Sequence, residues 1–98
     1  MYDVAFLPSF EKDLIDAENY LFEYSPNAAD NLVNALHEQV IALRNHPLMY
    51  PIYDRNKRYR IMPLPYRYIS FYMVDQNERC IKLYRLLRGM RDIDQILI

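Results

Sequence analysis

Arg60, Arg85, Arg88 and Arg91, all in the C-terminal half, are the side chains best suited to chemistry in this sequence. Guanidinium groups hold phosphate in a fork and stabilise the charge that builds on it during cleavage. Tyrosines lie among them, and Tyr84 directly precedes Arg85. A tyrosine can act as acid or base once its reference pKa of ~10 is lowered. Cleavage of RNA through its own 2′-hydroxyl needs no more than such groups. Arg60, Arg85, Arg88 and Tyr84 therefore form the candidate catalytic set. A structural role competes with it. Arg85 could cap a sheet edge, and Arg88 and Arg91 could bond helix carbonyls or Asp92 and Asp94.

Other chemistries find little support. His37 and His46 are nine residues apart on one predicted helix, which is not a metal-ligand spacing. The single cysteine, Cys80, excludes an internal disulfide and a cysteine-based zinc cluster, and reads as a small strand residue. The acidic run on the first helix reads as a solvated face. No nucleophile elbow, phosphate loop, metalloprotease helix or dinucleotide fingerprint occurs. Neither a cofactor nor a metal is expected.

The elements that must position these residues follow from periodicity. Residues 2–7 read as a strand. Phe10, Leu14, Ala17, Leu21 and Tyr24 recur at steps of four and three, one face of a helix for which Ser9 is a candidate N-cap. Ser25-Pro26 stops that helix and starts another, with Ala29, Leu32, Leu36, Val40 and Leu43 as its stripe and Pro47 beyond its end. Two helices so closely joined predict an antiparallel hairpin. After a Pro-punctuated loop come strands at 58–62, 66–74 and 79–87, then a short helix over 91–98, with Ile93, Ile96 and Leu97 on one side. The expectation is a single α+β domain over residues 1–98, with the hairpin on one face of a mostly antiparallel sheet.

Alternation along the strands suggests which face is open. Ile69, Phe71 and Met73 are predicted to pack under the helices. The other face is then predicted to hold Arg58, Arg60, Tyr68, Tyr72, Lys82 and Tyr84. Cations that pair with phosphates and rings that stack on bases suit nucleic acid. The same face suits a partner peptide, or simple solvation. Arg58, Tyr68, Tyr72, Lys82 and Arg91 are the candidate binding residues, for nucleic acid or for a protein partner.

Charge is split along the chain. The net charge is −1, yet residues 1–43 sum to −7 and residues 44–98 to +6. Such asymmetry suggests a polyanion or an acidic partner at one surface. The composition, 52% hydrophobic and 26% charged with one glycine, excludes collagen-like and low-complexity chains. No apolar run approaches the ~20 residues of a membrane helix. The N-terminus lacks the pattern of a secretory leader, so a cytoplasmic protein is expected.

Taken in order, these pieces resemble the RelE/ParE superfamily of bacterial toxins from type II toxin–antitoxin systems. The resemblance rests on the Ser25-Pro26-x-Ala28 turn and Leu43-x-x-x-Pro47. It continues through YRIMPLPYRYISFYMVD, where Arg60 precedes Tyr68-x-x-x-Tyr72, and IKLYRLLRGMRDIDQIL. It implies a toxin neutralised by a small antitoxin, with operator DNA bound only through the antitoxin complex. RelE-like members cleave mRNA on the ribosome without metal, and ParE-like members inhibit DNA gyrase without being established nucleases. Arg60 and Arg85 match family arginines, which favours ribosome-dependent mRNA cleavage as the first expectation. Gyrase inhibition, or a module that only binds its antitoxin, are the alternatives. Arg88 stands where many relatives carry histidine or tyrosine, and arginine is a poor general base. Gly89-x-Arg91-Asp92 is the more ParE-like feature.

Overall fold

The computed structural model describes residues 1–89 and 93–97; Met90, Arg91, Asp92 and Ile98 lie outside this description, and with them the predicted role of Arg91. Strand β1 (Asp3–Phe6) leads into helix α1 (Pro8–Tyr24) and helix α2 (Pro26–Asn45). Strands β2 (Arg60–Pro63), β3 (Tyr68–Asp75) and β4 (Cys80–Arg88) follow, then the single turn α3 (Ile93–Ile96). The four strands form one sheet in the order β1-β4-β3-β2. β2, β3 and β4 are antiparallel neighbours, whereas β1 joins β4 in parallel.

Prolines set both helix starts. Pro8 and Pro26 sit in the first turns, where their missing N–H costs nothing. Ser25 alone separates the helices; its extended backbone caps both, and its N–H donates to Leu21 O. Ser9 is not the N-cap. Leu7 holds that position, and the Ser9 hydroxyl donates to Tyr84 O at 2.7 Å instead. Phe10, Ala17, Leu21, Leu32, Leu36 and Leu43 bury the inner faces of the helices against the sheet. Each large apolar side chain so buried contributes about 1.5–3 kcal/mol.

The sheet faces are the reverse of expectation along β3. Tyr68, Ser70 and Tyr72 are buried, and Tyr68 and Tyr72 pack in the core beneath the helices with Met62, Ile81, Leu83 and Leu86. Tyrosine can do this because its ring fills the core while its hydroxyl reaches the margin, as Tyr72 Oη does in donating to Pro47 O at 3.1 Å. Phe71, with Ile69 and Met73, packs on the other side. There a second small core forms with Tyr53, Tyr59, Tyr84, Ile93 and Leu97. The open basic face predicted for the sheet is therefore covered by the segment around residues 53–59 and the C-terminal turn. Ile93 and Leu97 are buried in that turn, but Ile96 is exposed.

A β-bulge explains why simple alternation fails along β4. Phe71 pairs with Arg85 while Tyr72 pairs with Leu83, leaving Tyr84 as the extra residue. The shift puts Leu86 with Ile81 and Leu83 in the helix-side core and Leu87 on the other face.

Three connections carry left-handed backbone among the described residues, one of them at Arg79 (φ 52°) just before β4. Tyr66 (φ 62°) and Arg67 (φ 67°) form the two-residue turn between β2 and β3, closed by Tyr68 N–H donating to Pro65 O. This is the pattern of a type I′ turn, which favours Asn-Gly, and each bulkier residue costs ~1–2 kcal/mol there. Gly89 (φ 76°) follows β4 and donates its N–H to Arg67 O at 2.8 Å.

Candidate functional site

The structure holds Arg60, Arg85 and Arg88 in three different environments. Arg85 lies beside the bulge. Its Nε donates to Asp13 Oδ2 at 2.6 Å and its Nη2 to Asp13 Oδ1 at 3.0 Å. The same carboxylate accepts Leu86 N–H at 3.0 Å. With Ser9 bonding Tyr84 O, helix α1 thus satisfies two backbone groups of β4 beside the bulge. The hydrogen bonds to Asp13 hold the Arg85 guanidinium pKa above its ordinary value, against the opposing effect of partial burial. Tyr84 faces the other way and stacks on Tyr59, centroids 5.2 Å apart and planes 10° apart. Burial, and then Tyr84 itself, push the Tyr59 hydroxyl pKa up.

Arg60 sits on β2 opposite Tyr72. Its Nη1 donates to Tyr50 O at 2.7 Å and Leu48 O at 3.4 Å, clamping the loop that follows α2. Burial drives the Tyr72 hydroxyl pKa up to about 12, with Arg60 pulling the other way. Arg60 also lines a cleft of about 560 Å³ with Lys57, Arg58 and Lys82. Asp75 is the one acid in its wall. Arg58 and Lys57 are exposed and Lys82 is half-buried. None of these three makes an ion pair among the described residues. This cationic cleft gathers three of the predicted residues, Arg58, Arg60 and Lys82.

Arg88 belongs to another surface. It pairs across from Tyr68, four residues along β3 from the partner of Arg60, or roughly 13 Å. Its guanidinium lies 5.1 Å over the Tyr20 ring. Burial raises the Tyr68 hydroxyl pKa while Arg88 opposes that rise. Both Tyr68 and Tyr72 are buried, so neither ring is presented for stacking on an incoming base.

Two groups of contributors were missed. Asp13 lies three residues after Phe10 and four before Ala17, on the apolar stripe of α1. A carboxylate on a buried stripe signals a buried partner, and that signal was present. Tyr20, Tyr24, Tyr66 and Arg67 are exposed at the end of the helix pair and had no such signal. Among the described residues no cluster of histidine, cysteine or carboxylates could hold a metal ion, and no helix is long and apolar enough to cross a membrane.

No protein of curated function matches the chain. The solved structure titled "Chromosomal ParDE TA system from P. aeruginosa" is similar, with a TM-score of 0.73 and 18% identity over 92% of this chain and 98% of that one. At that identity the likeness shows the shared fold. The family model for the ParE toxin of type II toxin–antitoxin system, parDE, matches residues 4–93. A match over that span includes β1, both long helices, the whole sheet and the start of α3, so the chain belongs to the ParE toxin family of type II toxin–antitoxin systems.

Proposed function

We propose that this chain is a growth-inhibiting toxin that acts by binding DNA gyrase and is neutralised by a cognate protein antitoxin. The observation that carries the reading is the ParE family match over residues 4–93. It shifts the balance from mRNA cleavage, the first expectation of the sequence, to the gyrase alternative.

The geometry supports the same shift. A ribonuclease of the kind first expected would gather Arg60, Arg85 and Arg88 about one phosphate with a tyrosine poised for proton transfer. Arg85 instead spends its fork on Asp13, and Arg60 bonds loop carbonyls. Tyr59, Tyr68 and Tyr72 have hydroxyl pKa values moved up, away from neutrality. That direction works against a general base at physiological pH. A binding protein needs no such constellation. The cleft of Lys57, Arg58, Arg60 and Lys82 offers a cationic contact surface to a protein–DNA target, in the part of the chain where the positive charge is concentrated.

Induced expression in a sensitive bacterium with pulse labelling tests the reading. Filamentation with a DNA-damage response, while protein synthesis continues, is the expected result. Immediate arrest of translation with cleaved mRNA would overturn it in favour of the ribonuclease reading, and unchanged growth would overturn both.

A further inference from the structure

Two observations meet at the end of the helix pair, away from the cationic cleft. The first is a cleft of about 490 Å³ with a mainly apolar lining, floored by Leu21 and Ala28 and walled by Tyr20, Tyr24 and Tyr66. Arg67 and Arg88 stand at it as the only charged lining residues among the described residues. Neither makes an ion pair among the described residues; Arg88 rests on the Tyr20 ring. The nearby acids are otherwise engaged: Asp13 holds Arg85, and Asp16 lies 3.4 Å from Lys12.

The second observation is the backbone that presents this surface. Tyr66 and Arg67 both adopt left-handed conformations that suit Asn-Gly far better. Asn31 Nδ2 donates to Tyr66 Oη at 3.0 Å and fixes the ring, while Arg67 O accepts the Gly89 N–H. Strain kept at an exposed turn needs a compensating use, because a relaxed turn would close the same hairpin. The use on offer is presentation of an aromatic ring and a cation beside an apolar cleft. Tyrosine and arginine are the residues that dominate binding energy at protein interfaces.

We propose that this cleft receives a segment of the antitoxin in which an aromatic or large aliphatic side chain is flanked by carboxylates. The apolar side chain enters between Tyr20, Tyr24 and Tyr66, and the carboxylates meet Arg67 and Arg88. Charge complementarity selects this occupant: two guanidinium groups, neither in an ion pair among the described residues, border an apolar floor. The assignment rests on the antitoxin reading above.

The test is calorimetric titration of the full chain with the full-length protein encoded beside its gene. Wild type is expected to bind. Arg67→Glu with Arg88→Glu is expected to weaken binding at least 100-fold, because like charges then face the carboxylates. Tyr66→Asn with Arg67→Gly relaxes the turn, so this variant is expected to melt higher than wild type yet bind at least tenfold more weakly. That opposite movement of stability and affinity is what a merely structural turn would not give. Wild-type affinity in the relaxed variant, or in a folded charge-reversal variant, overturns the cleft assignment and leaves the antitoxin reading intact. Failure of the wild-type chain to bind overturns both.

Discussion

Both donor directions of the Arg85 fork end on Asp13, and Asp13 in turn accepts a backbone N–H of the bulge. Removing Arg85 leaves that carboxylate, only 10% exposed, without its cation. Breaking a fully buried pair costs about 3–5 kcal/mol, and partial solvent access here lowers the figure to about 2 kcal/mol. Arg85→Ala should therefore lower the unfolding free energy from urea titration by that amount, and an unchanged midpoint would show that the pair is dispensable. Any loss of toxicity in this variant then has to be read against its lost stability. Ser70 is the opposite case. Its hydroxyl is fully buried with no hydrogen-bond partner among the described residues. Ser70→Ala removes an unpaid desolvation cost, so stability should hold or rise by up to ~1 kcal/mol in the same measurement.

At the scale of elements, the helices with their buried stripes follow from the sequence, whereas the strands follow without their faces. The two apolar stripes and the two prolines define α1 and α2 closely, because helix periodicity and proline act locally. β3 misleads because both of its faces are buried. One face carries Tyr68 and Tyr72 and the other Phe71, and alternation distinguishes apolar from polar faces, not one core from another. β4 misleads because a bulge, bordered by bonds to Ser9 and Asp13 more than 70 positions away in sequence, breaks its alternation. The candidate site was legible only in part for the same reason. Arg58, Arg60 and Lys82 do meet, whereas Arg85 and Arg88 are claimed by contacts with α1 that strand patterning cannot foresee. Gly89 gives an element-scale prediction. It has φ 76°, and none of the described residues beyond its chain neighbours comes within 4 Å of where a Cβ would stand. Gly89→Ala should thus cost only the backbone term, about 1 kcal/mol, in thermal or chemical unfolding. A much larger loss would mean that the connection after β4 resists more than a conformational penalty.

For the molecule as a whole, the near-zero net charge conceals a division of labour between an acidic helical half and a basic sheet half. The second core makes the sheet a covered scaffold and leaves the surfaces proposed for partners at its margins, the cationic cleft and the cleft beside Arg88. The buried tyrosines also set an alkaline limit on stability. Tyr72 has its hydroxyl pKa raised to about 12 by burial, against about 10 when unfolded. The fold favours the protonated form, so this contribution is complete below pH ~10 and lost as pH rises towards 12, about 2–3 kcal/mol in all. Tyr59 and Tyr68 shift in the same direction. Urea midpoints measured from pH 9 to 12 should fall steeply, and Tyr72→Phe should flatten that fall while losing about 1 kcal/mol at neutral pH with its bond to Pro47 O. The central claim, however, is the target. It is tested most directly by adding the purified chain to DNA gyrase and relaxed plasmid with ATP. Dose-dependent loss of supercoiling, restored by an equimolar amount of the protein encoded beside its gene, is the result this account predicts. Undiminished supercoiling by gyrase, with the same preparation cutting mRNA on translating ribosomes, would contradict it.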